Sequence, residues 1–195
     1  MIKAVLFDWG GVLVSGGHSF RQYMEEKVGS KIPQQHLIEY RKMRIALNKG
    51  ELGEADFDKR FCQMVGIEST PEDFWKPQDI IHILPEMKYF CDELRGKGIK
   101  TGIISNMGPK LADAIESAGG YKYFNPLVVS SRVGLCKPEE EIFDLSLEKL
   151  GLQPQEVIYI DDLEVNLEYP RELGMKTVFA RNSEQIINDV NSILG

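Results

Sequence analysis

At 195 residues, 43% of them hydrophobic, the chain can bury a full domain with a small second one attached. A formal charge of -7 argues against nonspecific binding to nucleic acid or to an anionic membrane surface and leaves a small soluble partner as the expectation. Cys62, Cys91 and Cys136 are odd in number and lack CxxC spacing, so they read as buried thiols of a reducing, cytoplasmic compartment. The apolar start at 4–7 is cut off by Asp8, too soon for a signal-peptide core or a membrane span.

Lys3 to Phe7 is a short β-branched and aromatic run ending in Asp8-Trp9-Gly10-Gly11, which predicts a buried strand and a tight loop. From about Ser19 to Phe74 the spacing becomes helical. Phe20, Tyr23, Met24 and Val28 make one face, Leu37, Tyr40, Arg41 and Arg44 a more polar one, and Phe57, Phe61, Met64 and Val65 a third. Gly16-Gly17 and the stretch around Lys76-Pro77 read as hinges. After Leu84-Pro85 a regular alternation begins. A helix carrying Met87, Phe90, Cys91 and Leu94 is stopped by Gly96 and Gly98 and leads to a strand at 99–104. Helix 110–118 leads to strand 126–130, helix 139–150 to strand 157–160, and helix 164–173 to strand 176–180, with a closing helix at 183–193. Pro170 falls inside one of these helices, where it should kink or restart the chain. The pattern predicts an α/β fold: a doubly wound, parallel, five-stranded sheet split into residues 1–14 and 83–195 around an all-helical insert at 15–82.

Four segments place a reactive side chain at an expected strand end: Asp8 after AVLF, Ser105 after TGII, Lys137 after GLC, and Asp161 with Asp162 after VIYI. Ends of parallel strands converge on one crevice, so these residues can share a site. Each has a plainer reading. Asp8 alone is equally a turn aspartate, and Ser105-Asn106 ahead of Gly108-Pro109 is also what a helix start wants. Glu139, Glu140 and Glu141 complement the positive end of a helix, whereas Lys137 opposes it and so calls for a nearby anion. Asp161 and Asp162 repel each other unless a cation, protonation or a solvated turn relieves them. As a set, the carboxylate, hydroxyl, ammonium and acidic pair point to metal-assisted phosphoryl transfer. Gly10 stands where such chemistry usually wants a second carboxylate.

In order and spacing, FDWGGVL, IISN, KPEEEIF and YIDDLEVN resemble the four motifs of the haloacid dehalogenase-like hydrolase superfamily. The resemblance implies a Rossmann-like core with a helical cap that closes over the substrate. It implies that Asp8 attacks phosphorus to form an aspartyl phosphate. Mg2+ would be held by Asp8, the backbone carbonyl of Gly10 and Asp162, with Asp161 acting directly or through water. Ser105, Asn106 and the loop amides of Trp9, Gly10 and Gly11 would hold phosphoryl oxygens. Lys137 would offset the gathered negative charge, and Asn166 would fix the last motif's loop. The pattern Asp-x-Gly-x-Val at 8–12 is similar to that of bacterial sugar-1-phosphate phosphatases. The expected activity is a Mg2+-dependent phosphatase for a small phosphorylated metabolite, sugar phosphates foremost, slow or selective because Gly10 supplies no acid or base. A carbon–halogen hydrolase is one alternative, since such relatives also lack that Asp. A catalytically weak module binding a phospholigand or a protein is another. Trp9 reads as either a cap-facing or a core residue, and His18 as either a substitute acid–base or incidental. A monomer or weak homodimer is expected, with no nucleic acid or membrane partner.

Overall fold

The computed structural model describes residues 1–14, 20–70 and 82–195. Its centre is a five-stranded, all-parallel sheet formed by β1 (Ala4–Phe7), β2 (Lys100–Ser105), β3 (Leu127–Val129), β4 (Val157–Asp161) and β5 (Lys176–Phe179), in the order β3-β2-β1-β4-β5. The central strands are buried on both faces, which is why AVLF and VIYI carry no alternation. Gly102 keeps β2 close to its neighbours, because a Cβ there would lie 2.7 Å from Leu6 Cδ2 and 2.8 Å from Pro126.

One face carries α4 (Pro85–Gly96), α5 (Pro109–Ser117) and α9 (Ser183–Leu194), whose Met87, Phe90, Leu94, Ile115, Ile186 and Val190 pack with Val5, Phe7, Ile103 and Ile160. The other carries α7 (Glu140–Leu150) and α8 (Glu168–Leu173), packed through Ile142, Phe143 and Leu173 on Leu6, Ile104 and Tyr159. Strand order reverses between β1 and β4, and the crevice outside the carboxyl ends of a parallel sheet lies at such a switch point. Asp8 and Asp161 stand on either side of it.

The described part of the insert is helical: α1 (Phe20–Val28), α2 (Leu37–Asn48) and α3 (Glu54–Val65). It has an apolar cluster of its own, in which Met24, Tyr40, Met43, Leu47, Phe57 and Phe61 meet. The Phe57 and Phe61 rings stack with centroids 6.3 Å apart. The seam with the core is polar at its edge: Lys49 pairs with Glu139 at 2.6 Å, and the Lys110 N–H donates to Glu54 Oε1 at 2.7 Å. The expected hinges, Gly16-Gly17 and Lys76-Pro77, lie outside the described residues, as does His18.

Two expectations are corrected. GLC at 134–136 is not a strand: β3 ends at Val129, a single turn α6 (Ser130–Val133) follows, and Lys137 lies in the loop ahead of α7. Three residues cannot make both a turn exit and a strand, and Gly134 is left-handed at φ 72°. The single helix at 164–173 is instead a 3-10 turn at Glu164–Asn166 followed by α8 from Glu168. Pro170 thus falls in the first turn of α8, where its missing N–H has no intrahelical partner to lose. The cysteines are free and buried, with the Cys91 thiol pushed up to about 12, chiefly by burial. No helix among the described residues is long and apolar enough to cross a membrane.

Candidate active site

Strand register builds the site. Phe7 is level with Ile160 across the β1/β4 pair, so the next residues, Asp8 and Asp161, stand side by side, and the Asp8 N–H donates to the Ile160 carbonyl at 2.9 Å. Alternation along a strand puts Leu6 with Asp8, and Tyr159 with Asp161, on one face, the face α7 covers. Lys137 precedes α7 and reaches the pair from that side. Its Nζ lies 2.9 Å from Asp8 Oδ1 and 2.7 Å from Asp161 Oδ2. The ammonium that opposed a helix N-terminus in the sequence thus has two anions.

The two adjacent acids differ. Asp161 is fully buried and receives four donors, Lys137 Nζ and Tyr159 Oη on Oδ2, the Leu163 N–H and Asn166 Nδ2 on Oδ1, at 2.7, 2.5, 2.9 and 2.9 Å. Burial opposes its charge, but Lys137 and these donors outweigh burial and hold its carboxyl below the usual range. Asp162 points the other way along the chain, against Gly11. That glycine is left-handed at φ 73°, and a Cβ on it would collide with the Asp162 carboxylate. Burial and the Asp161 charge hold Asp162 above the usual carboxylate range. Asp8 is raised further, to about 7, first by burial and then by Asp161 and Asp162, against the opposing pull of Lys137. Lys137 is held above its ordinary value because the two carboxylates overcome its burial. Oxygens of Asp8, Asp161 and Asp162 all lie within 4.8 Å of one another.

The remaining expected residues take distinct places. Ser105 closes β2, buried, one level beyond Asp8 at the same end of the sheet. Asn106 uses its amide as a brace, Oδ1 accepting from the Lys137 N–H and Nδ2 donating to the Lys137 carbonyl, each at 2.8 Å. Trp9 faces the core, not the cap: its indole is buried and meets Tyr121 edge-on at 5.3 Å, while the Trp9 backbone N–H donates to Asp8 Oδ1 at 2.6 Å. Gly10 is exposed, is not left-handed, and has nothing within 4 Å of the position a Cβ would take. Tyr159 and the Lys49–Glu139 pair went unnoticed in the sequence. For Tyr159 a signal was available, since a strand residue two before an acid shares its face.

With the geometry in place, comparison with known proteins identifies its relatives. A family model described as haloacid dehalogenase-like hydrolase matches residues 2–174. The D-ribitol-5-phosphate phosphatase of Bacteroides thetaiotaomicron is 27% identical over 210 aligned positions, covering 100% of this chain and 99% of that protein. The acyl-CoA dehydrogenase family member 10 of Mus musculus is 28% identical across 99% of this chain, and the bifunctional epoxide hydrolase 2 of Sus scrofa 30% identical across 52% of it. The matches take up 19% of each of those proteins, so the chain spans about a fifth of their length. Among solved structures, a predicted HAD-like family hydrolase from Porphyromonas gingivalis superposes with a TM-score of 0.76 at 24% identity, covering 100% of this chain and 98% of that one. A HAD family enzyme from Bacteroides thetaiotaomicron, in complex with magnesium and inorganic phosphate, superposes with a TM-score of 0.73 at 24% identity over 91% of this chain and 93% of that one.

Proposed function

This chain belongs to the haloacid dehalogenase-like hydrolase family, and we propose that it is a Mg2+-dependent phosphatase that acts on a small phosphorylated metabolite through an aspartyl phosphate on Asp8. One observation carries the reading: three carboxylates with oxygens within 4.8 Å of one another, beside a buried ammonium that two of them share. A set of oxygen donors suits a hard divalent cation. The carboxyls of Asp8 and Asp162 are raised first by burial and then by the neighbouring aspartate charges, and a dication would offset both. Asp8, Asp162 and the backbone carbonyl of Gly10 would hold the ion, which when bound withdraws charge from the phosphoryl oxygens and keeps Asp8 ionised.

The chain's own residues supply the rest. Asp8 attacks phosphorus as the ester P–O bond breaks, and the departing oxygen takes its proton from solvent, since Gly10 has no side chain to give one. Water then attacks the aspartyl phosphate, freeing inorganic phosphate and restoring Asp8. Lys137, fixed by Asp161 and by the Asn106 brace, offsets the charge that gathers around phosphorus, and Ser105 with the loop amides of 9–11 holds the oxygens.

Sugar or polyol phosphates are the favoured substrates, a preference supported by the full-length likeness to a D-ribitol-5-phosphate phosphatase. The buried free cysteines support a reducing, cytoplasmic setting. The Asp161-Asp162 pair argues for phosphoryl transfer over carbon–halogen hydrolysis, which needs no metal. The test is a panel of phosphorylated metabolites assayed with and without Mg2+. Phosphate release is expected only with the metal, and turnover that survives full chelation would overturn the assignment.

A further inference from the structure

Tyr159 is a buried hydroxyl to which the proposed chemistry gives no part. It lies in the middle of the sheet, wholly enclosed, with its ring edge-on to Phe143 at 5.4 Å. Phenylalanine would fill that space without bringing a polar atom out of water, so packing alone does not call for tyrosine. The hydroxyl does have a partner. It donates to Asp161 Oδ2 at 2.5 Å, and that same oxygen accepts from Lys137 Nζ at 2.7 Å, while Lys137 Nζ lies 2.9 Å from Asp8.

A carboxylate offers about four lone-pair sites. With Tyr159 and Lys137 on Oδ2, and Leu163 N–H and Asn166 Nδ2 on Oδ1, all of those on Asp161 are taken by the chain itself. We propose that Tyr159 is a positioning residue: by donating to Asp161 Oδ2 it fixes that carboxylate as the anchor of Lys137 and keeps it from turning toward the metal, so that Asp8 and Asp162 are the carboxylate ligands. Removing the hydroxyl opens one acceptor site. Asp161 is then held on Oδ2 by Lys137 alone, and the pair can shift together relative to Asp8.

The inference rests on the phosphatase reading for its kinetic and metal-ligand parts, its unfolding part standing apart, and the test separates the two. Wild type, Tyr159→Phe, Asp161→Asn and the double variant are compared in kcat and KM with an activated aryl phosphate, and in urea unfolding of the metal-free proteins. Tyr159→Phe removes one oxygen and leaves the contact with Phe143 intact. It is expected to lower kcat by about 10- to 100-fold, the usual cost of losing a supporting hydrogen bond behind a functional ligand, with KM within about two-fold. In the Asp161→Asn background the same change should cost less than about two-fold, because the neutral amide no longer anchors Lys137 and the hydroxyl has no anchor left to fix. The unfolding constants should show a coupling of about ten-fold or more between the two sites. A Tyr159→Phe protein that is less stable but turns over at the wild-type kcat would overturn the positioning role, as would an equal loss in both backgrounds. A wild type without phosphatase activity would count against the phosphatase reading, while absence of the unfolding coupling would count against the Tyr159 contact itself.

Discussion

Replacing Asp8 by Asn should make the metal-free protein more stable as it ends turnover. The Asp8 carboxyl rises from 3.8 to about 7, mainly through burial and then through the charges of Asp161 and Asp162, after Lys137 has pulled it down in part. Each pKa unit is worth about 1.4 kcal/mol, so ionising Asp8 in the metal-free site opposes folding by at most about 4 kcal/mol. The folded value lies above the unfolded one. The cost is therefore absent below about pH 4, grows as pH rises from there to about 7, and is complete above that. Asn keeps the shape and removes the charge. It also weakens the pairing with Lys137, so a net gain of about 2 kcal/mol at pH 8 is reasonable, or roughly 4 to 8 °C in Tm for a chain of this size. Urea unfolding with chelator present, at pH 8 and at pH 4, measures it. A variant less stable than wild type at pH 8, or a gain of equal size at pH 4, would refute the account of a site strained by its own carboxylates.

The same carboxyl makes metal binding proton-linked: Mg2+ affinity should rise by up to about ten-fold per pH unit below 7 and level off above it, and titration calorimetry showing a constant affinity from pH 5.5 to 8.5 would exclude Asp8 as the titrating ligand. Asp162→Asn should raise the Mg2+ concentration for half-maximal activity by about ten-fold or more, since it removes a charged oxygen ligand; an unchanged requirement would move the ion elsewhere. With no acid or base at Gly10, an activated aryl or acyl phosphate should give a burst followed by slow turnover, with phosphate trapped on Asp8 after acid quench. Gly10→Asp should speed the slow phase, because the position is open and its φ is not left-handed. Linear wild-type turnover with nothing trapped would mean that another group already does this work.

The alternation of strand and helix after Pro85 was legible because each strand carries a short apolar stretch, such as Ile103-Ile104 or Val157 to Ile160, and the helices between them keep a steady 3.6-residue spacing. Short segments carry less of this signal. Gly134-Leu135-Cys136 is apolar enough for a strand yet too short to leave a helical turn and make one, and the real β3 has only three residues, Leu127–Val129. Pro170 marks a break in the sequence, but only the cap geometry at Leu167 locates the restart. Asp8, Lys137, Asp161 and Asp162 could be named from type and order. Their division of labour could not, because it depends on register across β1 and β4 and on a hydrogen-bonded brace, Asn106 to Lys137, between residues 31 positions apart. Trp9 shows the same limit: two readings were open from the sequence, and the contact with Tyr121 across more than a hundred residues decides for the core.

Two neighbouring aspartates that look interchangeable in the sequence end up with opposite electrostatics for one local reason. Asp161 is the last residue of β4 and inherits the strand's alternation, so it faces the layer that holds Lys137 and Tyr159 and is stabilised as an anion there. Asp162 is the first residue beyond the strand, turned onto the backbone of Gly11, where Lys137 helps it less than burial and Asp161 harm it. The paired acids thus divide one task. The first gives up its lone pairs to the protein and holds the ammonium in place, and the second, in the phosphatase proposed above, keeps its charge for a cation. Gly11 leaves room for the second, so the two glycines of the first loop have separate uses: Gly11 allows the close approach of Asp162, and Gly10 leaves an opening beside it with nothing within 4 Å of the position a Cβ would take.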